Sequence, residues 1–247
     1  MTTTAIDWIV PDWPAPAHVR VLSTLRAGGV SDGPYASLNL AAHVGDRPAA
    51  VAANRLLLRE AAHLPAEPLW LEQVHGTDVI RHPGESLVVR ADASVAFEPG
   101  RVCAVMTADC LPVVLTDPGG TRVGVAHAGW RGLLDGVVEA TIAALGTSPA
   151  ELRAWLGPAI GPEAFEVGGE VRTAFADRNP AAAGYFRPNQ RNRYQADLYG
   201  LARLALAAAG VSSVHGGGWC THRESERFFS FRRDGVTGRM ATLAWLA

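Results

Sequence analysis

The 247-residue chain contains no lysine; all 22 of its cationic side chains are arginine. Without lysine there is no Schiff-base nucleophile and no phosphate-loop lysine. Any phosphate or carboxylate must then be held by arginine forks, backbone N–H groups or a metal. Cysteine is scarce too: three residues, an odd number, argue against a disulfide framework and for a reducing compartment. The stretch from Met1 to Pro16 has neither the basic start nor the apolar run of a signal peptide. No apolar run approaches the roughly 18 positions of a membrane span. The expected location is the cytoplasm. The net charge of −2 provides no basic field for nucleic acid or an anionic membrane, so a neutral or small polar ligand is the expected partner.

What is present is apolar. With 48% apolar and 19% charged residues, the chain has material for a full core. Its length suits one large domain over residues 1–247, as a monomer or homodimer. His18 to Leu25 alternates apolar and polar residues, as a strand does, and runs into the flexible turn Arg26-Ala-Gly-Gly. Pro48 to Ala62 reads as a helix, with Asp46 as its N-cap. Pro68–Gln73, Val102–Thr107, Pro112–Thr116, Arg122–Ala126 and Leu152–Leu156 read as strands. Trp130–Leu145 reads as one amphipathic helix. Ala196–Ala209 reads as another, with Asp197 near its start and Gly210 as its stop. Phe228–Arg232 and Arg239–Trp245 close the chain as strands. Strands outnumber helices and some are hairpin-linked, which predicts an α/β fold of α+β character: mixed sheet layers flanked by helices.

Three potential metal ligands sit at the ends of such elements. His75 lies in Gln-Val-His-Gly after a strand, Cys110 in Ala-Asp-Cys-Leu-Pro between two strands, and His127 in Ala-His-Ala-Gly-Trp-Arg between a strand and a helix. Element ends let a rigid scaffold aim side chains into a cleft. Two imidazoles and a thiolate suit zinc, and three protein ligands leave a fourth position open, as in catalytic sites. Copper binds such a set tightly as well. The remaining histidines considered, His18, His43, His63, His82 and His215, read as solvated, and Cys103 reads as a core side chain. Asp109, Gln73 and Glu72 lie beside the ligands in sequence, as candidate proton carriers or orienting partners. Arg26, Arg131 and Arg232 are candidate clamps for phosphate or carboxylate, Arg26 foremost because of its glycine turn. Asn39 is a candidate ligand contact, and Trp130 reads as core.

Eight blocks give the chain a specific resemblance over nearly its whole length: Arg26-Ala-Gly-Gly-Val-Ser, Tyr35-Ala-Ser-Leu-Asn-Leu, His43-Val-Gly-Asp, Gln73-Val-His-Gly, Thr107-Ala-Asp-Cys-Leu-Pro, Ala126-His-Ala-Gly-Trp-Arg-Gly, Gly157-Pro-Ala-Ile-Gly-Pro and Phe229-Ser-Phe-Arg-Arg-Asp-Gly. In this order they resemble the laccase-domain family, whose members are also called multicopper polyphenol oxidoreductases, peptidoglycan editing factors and metal-dependent purine nucleoside phosphorylases. The resemblance implies zinc on His75, Cys110 and His127. It implies phosphorolysis of adenosine, inosine and methylthioadenosine, deamination of adenosine, and an α/β fold like that of cysteine hydrolases. Purine nucleosides and inorganic phosphate are then the expected partners. Leu25 and Phe165 depart from the family's usual Thr and Tyr. Two other functions remain open: a hydrolase of cell-wall precursors using Cys110 with His127 or His75 as base, and a non-catalytic binding module for such precursors. Copper-dependent polyphenol oxidation ranks last, because the chain has no His-x-His pair.

Overall fold

The computed structural model of the protein describes residues 5–82 and 89–247. Two sheets dominate it. The smaller orders four strands as Trp8–Ile9, Val19–Thr24, Met240–Leu246 and Cys103–Thr107, all antiparallel. The larger orders six as Ser213–Gly216, Arg153–Leu156, Leu111–Thr116, Val123–Ala128, Ala93–Ala96 and Val79–His82. Its inner pairings are antiparallel, and each edge strand pairs parallel with its neighbour.

Side chains alternate across a strand, so each strand serves two cores. Val19, Val21, Cys103, Val105, Ala244 and Leu246 face Val114, Val123, Val125 and Trp155 between the two sheets. The opposite faces of the smaller sheet's strands, with Leu22, Ala104, Met106 and Leu243, pack against Leu58 of the helix Pro48–Ala61. The outer face of the larger sheet, with Val113, Leu115, Ala126 and Ala154, is covered by helices Val137–Leu145 and Leu198–Ala208. The layers therefore run helix, sheet, sheet, helix. Burial on both faces is why the central strands read as nearly unbroken apolar runs. Among the described residues no helix is long and apolar enough to cross a membrane.

The mixed sheets with flanking helices agree with the expected architecture, but four local expectations need correction. Trp130–Leu145 is two helices, Trp130–Asp135 and Val137–Leu145, because Gly136 sits at φ 106° and breaks the ladder. Phe228–Arg232 is not a strand. Phe228 and Phe229 plug the core, and Ser230 caps a short helix, Phe231–Asp234, by accepting the Arg233 N–H. Asp46 does not cap Pro48–Ala61. Arg47 is the N-cap, and the Asp46 carboxylate turns back to accept hydrogen bonds from Ser31 and Asn39. His127 lies inside its strand, opposite Pro112, and not beyond the strand's end.

Candidate metal centre

One strand, one crossing between sheets and one loop deliver the three candidate ligands. Cys103–Thr107 belongs to the smaller sheet and Leu111–Thr116 to the larger, so Ala108, Asp109 and Cys110 cross from one sheet to the other. His127 reaches the crossing from the adjacent strand. His75 arrives from the loop after the short strand Leu71–Glu72. The ligating atoms of His75, Cys110 and His127 all lie within 4.8 Å of one another. Cys110 Sγ is 3.8 Å from His75 Nε2, and the imidazole centroids are 4.8 Å apart with the rings tilted at 69°.

A fourth residue, Asp92, organises the group. Its fully buried carboxylate accepts a 2.7 Å hydrogen bond at Oδ1 from His127 Nδ1. The backbone N–H of His75 also donates to Oδ1, and those of Val74 and Gly76 donate to Oδ2. The bond to Nδ1 turns His127 Nε2 toward the cleft as the free lone pair, the usual carboxylate–histidine arrangement behind a metal. The three N–H bonds hold His75 at φ 62°, a left-handed conformation that costs on the order of 1–3 kcal/mol for a non-glycine residue. Asp109 is held similarly at φ 96°. Its Oδ1 accepts from Thr221 Oγ1 and its Oδ2 from the Arg232 N–H, both at 2.6 Å.

The electrostatics favour the Cys110 thiolate. Burial resists the charge on Asp92, but hydrogen bonds from His127 and the backbone outweigh it and hold the carboxyl below its ordinary range. Burial likewise resists ionisation of Cys110, yet the His127 charge and hydrogen bonds from both histidines draw the thiol down. His127 is pushed up, against burial, by the Cys110 thiolate and Asp92. A metal requires the thiolate and a neutral imidazole, so binding here would displace the proton held on His127.

Room for an ion depends on Gly129. A Cβ there would lie 2.9 Å from Cys110 Sγ and 3.0 Å from His75 Cδ2. The residues present fit a tetrahedral ion with one open corner: the donor set is right, one imidazole is oriented from behind, and a glycine keeps the front clear. Gly129→Ala is expected to leave the fold intact, since the glycine's own φ is −64°, while lowering metal occupancy by at least about tenfold, as expected when ligand orientation is disturbed. Elemental analysis beside a thermal melt checks this. Full occupancy in the variant would refute the packing argument.

Two cavities of about 230 Å³ each flank the centre, and His75, Ala108, Cys110 and Phe231 line both. The first is walled by Trp130, Ile160, Phe165 and Leu198, with Asp109, Arg131 and Arg232 at its edge. The second is lined by His43, Gln73, His127 and Arg239.

Of the residues singled out from sequence, Asp109, Arg131 and Arg232 therefore lie at the centre's first cavity. The guanidinium of Arg131 rests over Trp130 at 4.3 Å, and that of Arg232 donates to the Glu166 carbonyl. Trp130 is half-buried: it packs against the core of the larger sheet, as expected, and also lines this cavity. Arg26 belongs elsewhere. Its Nε and Nη2 donate to the Ala36 carbonyl and its Nη1 to that of Ser225, with the guanidinium over Phe229. It ties loops together and lines neither cavity. Asn39 is wholly buried, bonded to Ala41, Asp46 and the Arg239 N–H, and lines neither cavity. Gln73 reaches the second cavity, but its amide is clamped to both backbone groups of Met106. Glu72 lies outside both cavities, in a larger groove that adjoins the second.

Asp92, Arg239 and His43 were missed. An acid inside Val-Arg-Ala-Asp-Ala-Ser-Val was the available signal for Asp92, since a buried charge in an apolar run needs a partner. His43 is exposed, as expected of a solvated side chain, and it also lines the second cavity.

Comparison with known proteins extends these observations. The family model described as "Multi-copper polyphenol oxidoreductase laccase" matches residues 20–247. A protein of Pseudomonas aeruginosa named as a purine nucleoside phosphorylase is 55% identical over 240 residues, covering 97% of this chain and 98% of that one. The purine nucleoside phosphorylase YfiH of Escherichia coli is 54% identical over 239 residues, covering 96% and 98%. Among solved structures, a Neisseria meningitidis protein superposes with a TM-score of 0.92 at 51% identity, over 97% of this chain and 98% of that chain.

Proposed function

The chain belongs to the family described as multi-copper polyphenol oxidoreductase laccase, and from that premise we propose that it is a zinc-dependent purine nucleoside phosphorylase that also deaminates adenosine. The observation that carries the proposal is the His75–Cys110–His127 cluster opening onto a cavity with aromatic walls and arginines at its rim. The names of relatives at 54–55% identity support the same reaction class.

His75 Nε2, Cys110 Sγ and His127 Nε2 are the atoms that would hold the ion. Bound there, zinc would supply Lewis acidity. The protein's own groups account for the rest. Trp130, Phe165 and Ile160 offer apolar faces to a purine and exclude water from it. Arg131 and Arg232 provide donors for the acceptor atoms of the base. The Asp109 carboxylate, fixed by Thr221 and the Arg232 N–H, sits where it can carry a proton or face the positive charge that develops on the sugar. Cleavage transfers the ribosyl group from the purine to phosphate, and deamination replaces the amino group by oxygen from water and releases ammonia.

One observation favours a second reading. Cys110, His127 and Asp92 stand in the order nucleophile, base and orienting acid, which suits a thiol hydrolase acting without metal. Copper-dependent oxidation ranks below both, for want of histidine pairs. Product analysis of purified protein given adenosine with and without phosphate separates them. Adenine and ribose 1-phosphate formed only with phosphate, together with inosine and one zinc per chain, is the expected result. Base release indifferent to phosphate, or full turnover by metal-free protein, would refute it.

A further inference from the structure

Phosphorolysis places two different ligands at one centre, and the second cavity differs chemically from the first. Its buried end is Arg239, whose Nη1 donates to the carbonyls of Thr237 and Gly238 and whose guanidinium lies 5.7 Å from the Phe231 ring centroid. Among the described residues no carboxylate forms an ion pair with Arg239, and neither Nε nor Nη2 donates to a protein acceptor. The negative groups that it feels are Cys110, across the cavity, and then Asp109 and Tyr35, which lie outside its lining. A metal on the triad would neutralise the Cys110 thiolate, leaving the cavity with cations at both ends. A half-buried guanidinium in that position calls for an anion.

His43 lines the same wall, and it is kept neutral by burial and by the charges of Arg239 and Arg55. It can therefore donate one hydrogen bond without adding charge. From His43, Gln73 and Met106 a wider groove of about 760 Å³ leads outward past Arg55, which lies 4.1 Å over the Trp70 ring. This groove is separate from the aromatic cavity beyond Phe231.

We propose that the Arg239–His43 cavity is the inorganic phosphate subsite, filled through the Arg55 groove, while the nucleoside occupies the aromatic cavity across the His75–Cys110 wall. The inference rests on the phosphorylase reading and adds to it the location of the nucleophile. Direct displacement needs phosphate and departing purine on opposite faces of the ribose C1′. Two cavities meeting at one wall meet that need. A phosphate oxygen forms the bond to C1′, the electron pair of the C1′–N9 bond leaves with the purine, and the purine takes up the proton carried by hydrogen phosphate. The products are ribose 1-phosphate and free base.

Calorimetric titration of the metal-loaded protein with inorganic phosphate tests this, beside the KM for phosphate at saturating nucleoside. Arg239→Gln is expected to weaken phosphate about 10- to 150-fold on both measures, as loss of a hydrogen bond to a charged group does, with metal content retained. Arg239→Lys should recover part of the loss. Should Arg239→Gln fold poorly in thermal melts, His43→Ala reads the same cavity from its other wall and should weaken phosphate about five- to tenfold, the weight of a neutral hydrogen bond. Unchanged phosphate affinity in folded Arg239→Gln, or the loss appearing instead in Arg131→Gln or Arg232→Gln, would overturn the assignment. Failure of the phosphorylase reading is distinguishable: wild-type turnover would then ignore phosphate, while the calorimetry still decides whether Arg239 binds it. A wild-type protein that shows no phosphate binding would overturn the inference outright.

Discussion

Cys110→Ala is expected to strip the protein of its metal and of phosphorolysis together, and to leave the fold standing. The thiolate is the only sulfur donor of the cluster, and the two imidazoles left behind cannot complete a three-ligand site. Loss of an orienting partner alone costs about 10- to 100-fold in metal affinity, and loss of a ligand exceeds that. Cys110 lies on a crossing between sheets and is only partly buried, so its removal opens no deep cavity. Elemental analysis, product analysis and a thermal melt together check the expectation. Activity that survives in Cys110→Ala would remove the thiolate from the chemistry. Activity in metal-free wild type that disappears when Cys110 is alkylated would instead favour the hydrolase.

Asp92→Asn should affect both function and stability. Either orientation of the amide places an NH₂ group against N–H donors: at Oδ1 those of His127 and His75, at Oδ2 those of Val74 and Gly76. Facing His127, it favours the tautomer with the proton on Nε2, the atom needed for the metal. Facing the loop, it leaves buried N–H groups unpaired, each costing about 1–3 kcal/mol. Metal affinity should fall about 10- to 100-fold, measured by competition with a chelating dye. Urea denaturation should show the stability loss, and its pH dependence carries a sign. The folded Asp92 carboxyl lies below its ordinary value of 3.8, so its contribution is present above that pH and disappears as pH falls through the lower folded value. The gap between wild type and variant should therefore narrow on acidification below about pH 4. An unchanged dye competition would mean that Asp92 does not orient the ligand.

The three clustered positions were legible because each sits at a boundary that local pattern reveals: apolar runs end, and a His or Cys follows. His75 and Cys110 were recognisable in that way, and so was His127, although its strand continues one residue past it. Asp92 was not legible as a partner, because it lies 35 residues from His127 and 17 from His75. The pairing of Ala93–Ala96 with Val123–Ala128 brings it beside His127, and the loop carrying His75 folds onto it through backbone N–H groups. Arg26 misled for the converse reason. A glycine-flanked arginine resembles an anion clamp locally, whereas its acceptors, Ala36 and Ser225, are supplied by chain folding back upon it.

Composition and periodicity by themselves determined that this chain builds mixed sheets under helices, without lysine chemistry. These properties depend on residues within a few positions of one another. Tertiary structure alone decided which arginines face the centre, which carboxylate stands behind His127, and that the centre opens on two sides. Such facts depend on strand pairings and loop contacts between residues as far as 112 positions apart, as from Asp109 to Thr221, and no local pattern encodes that convergence.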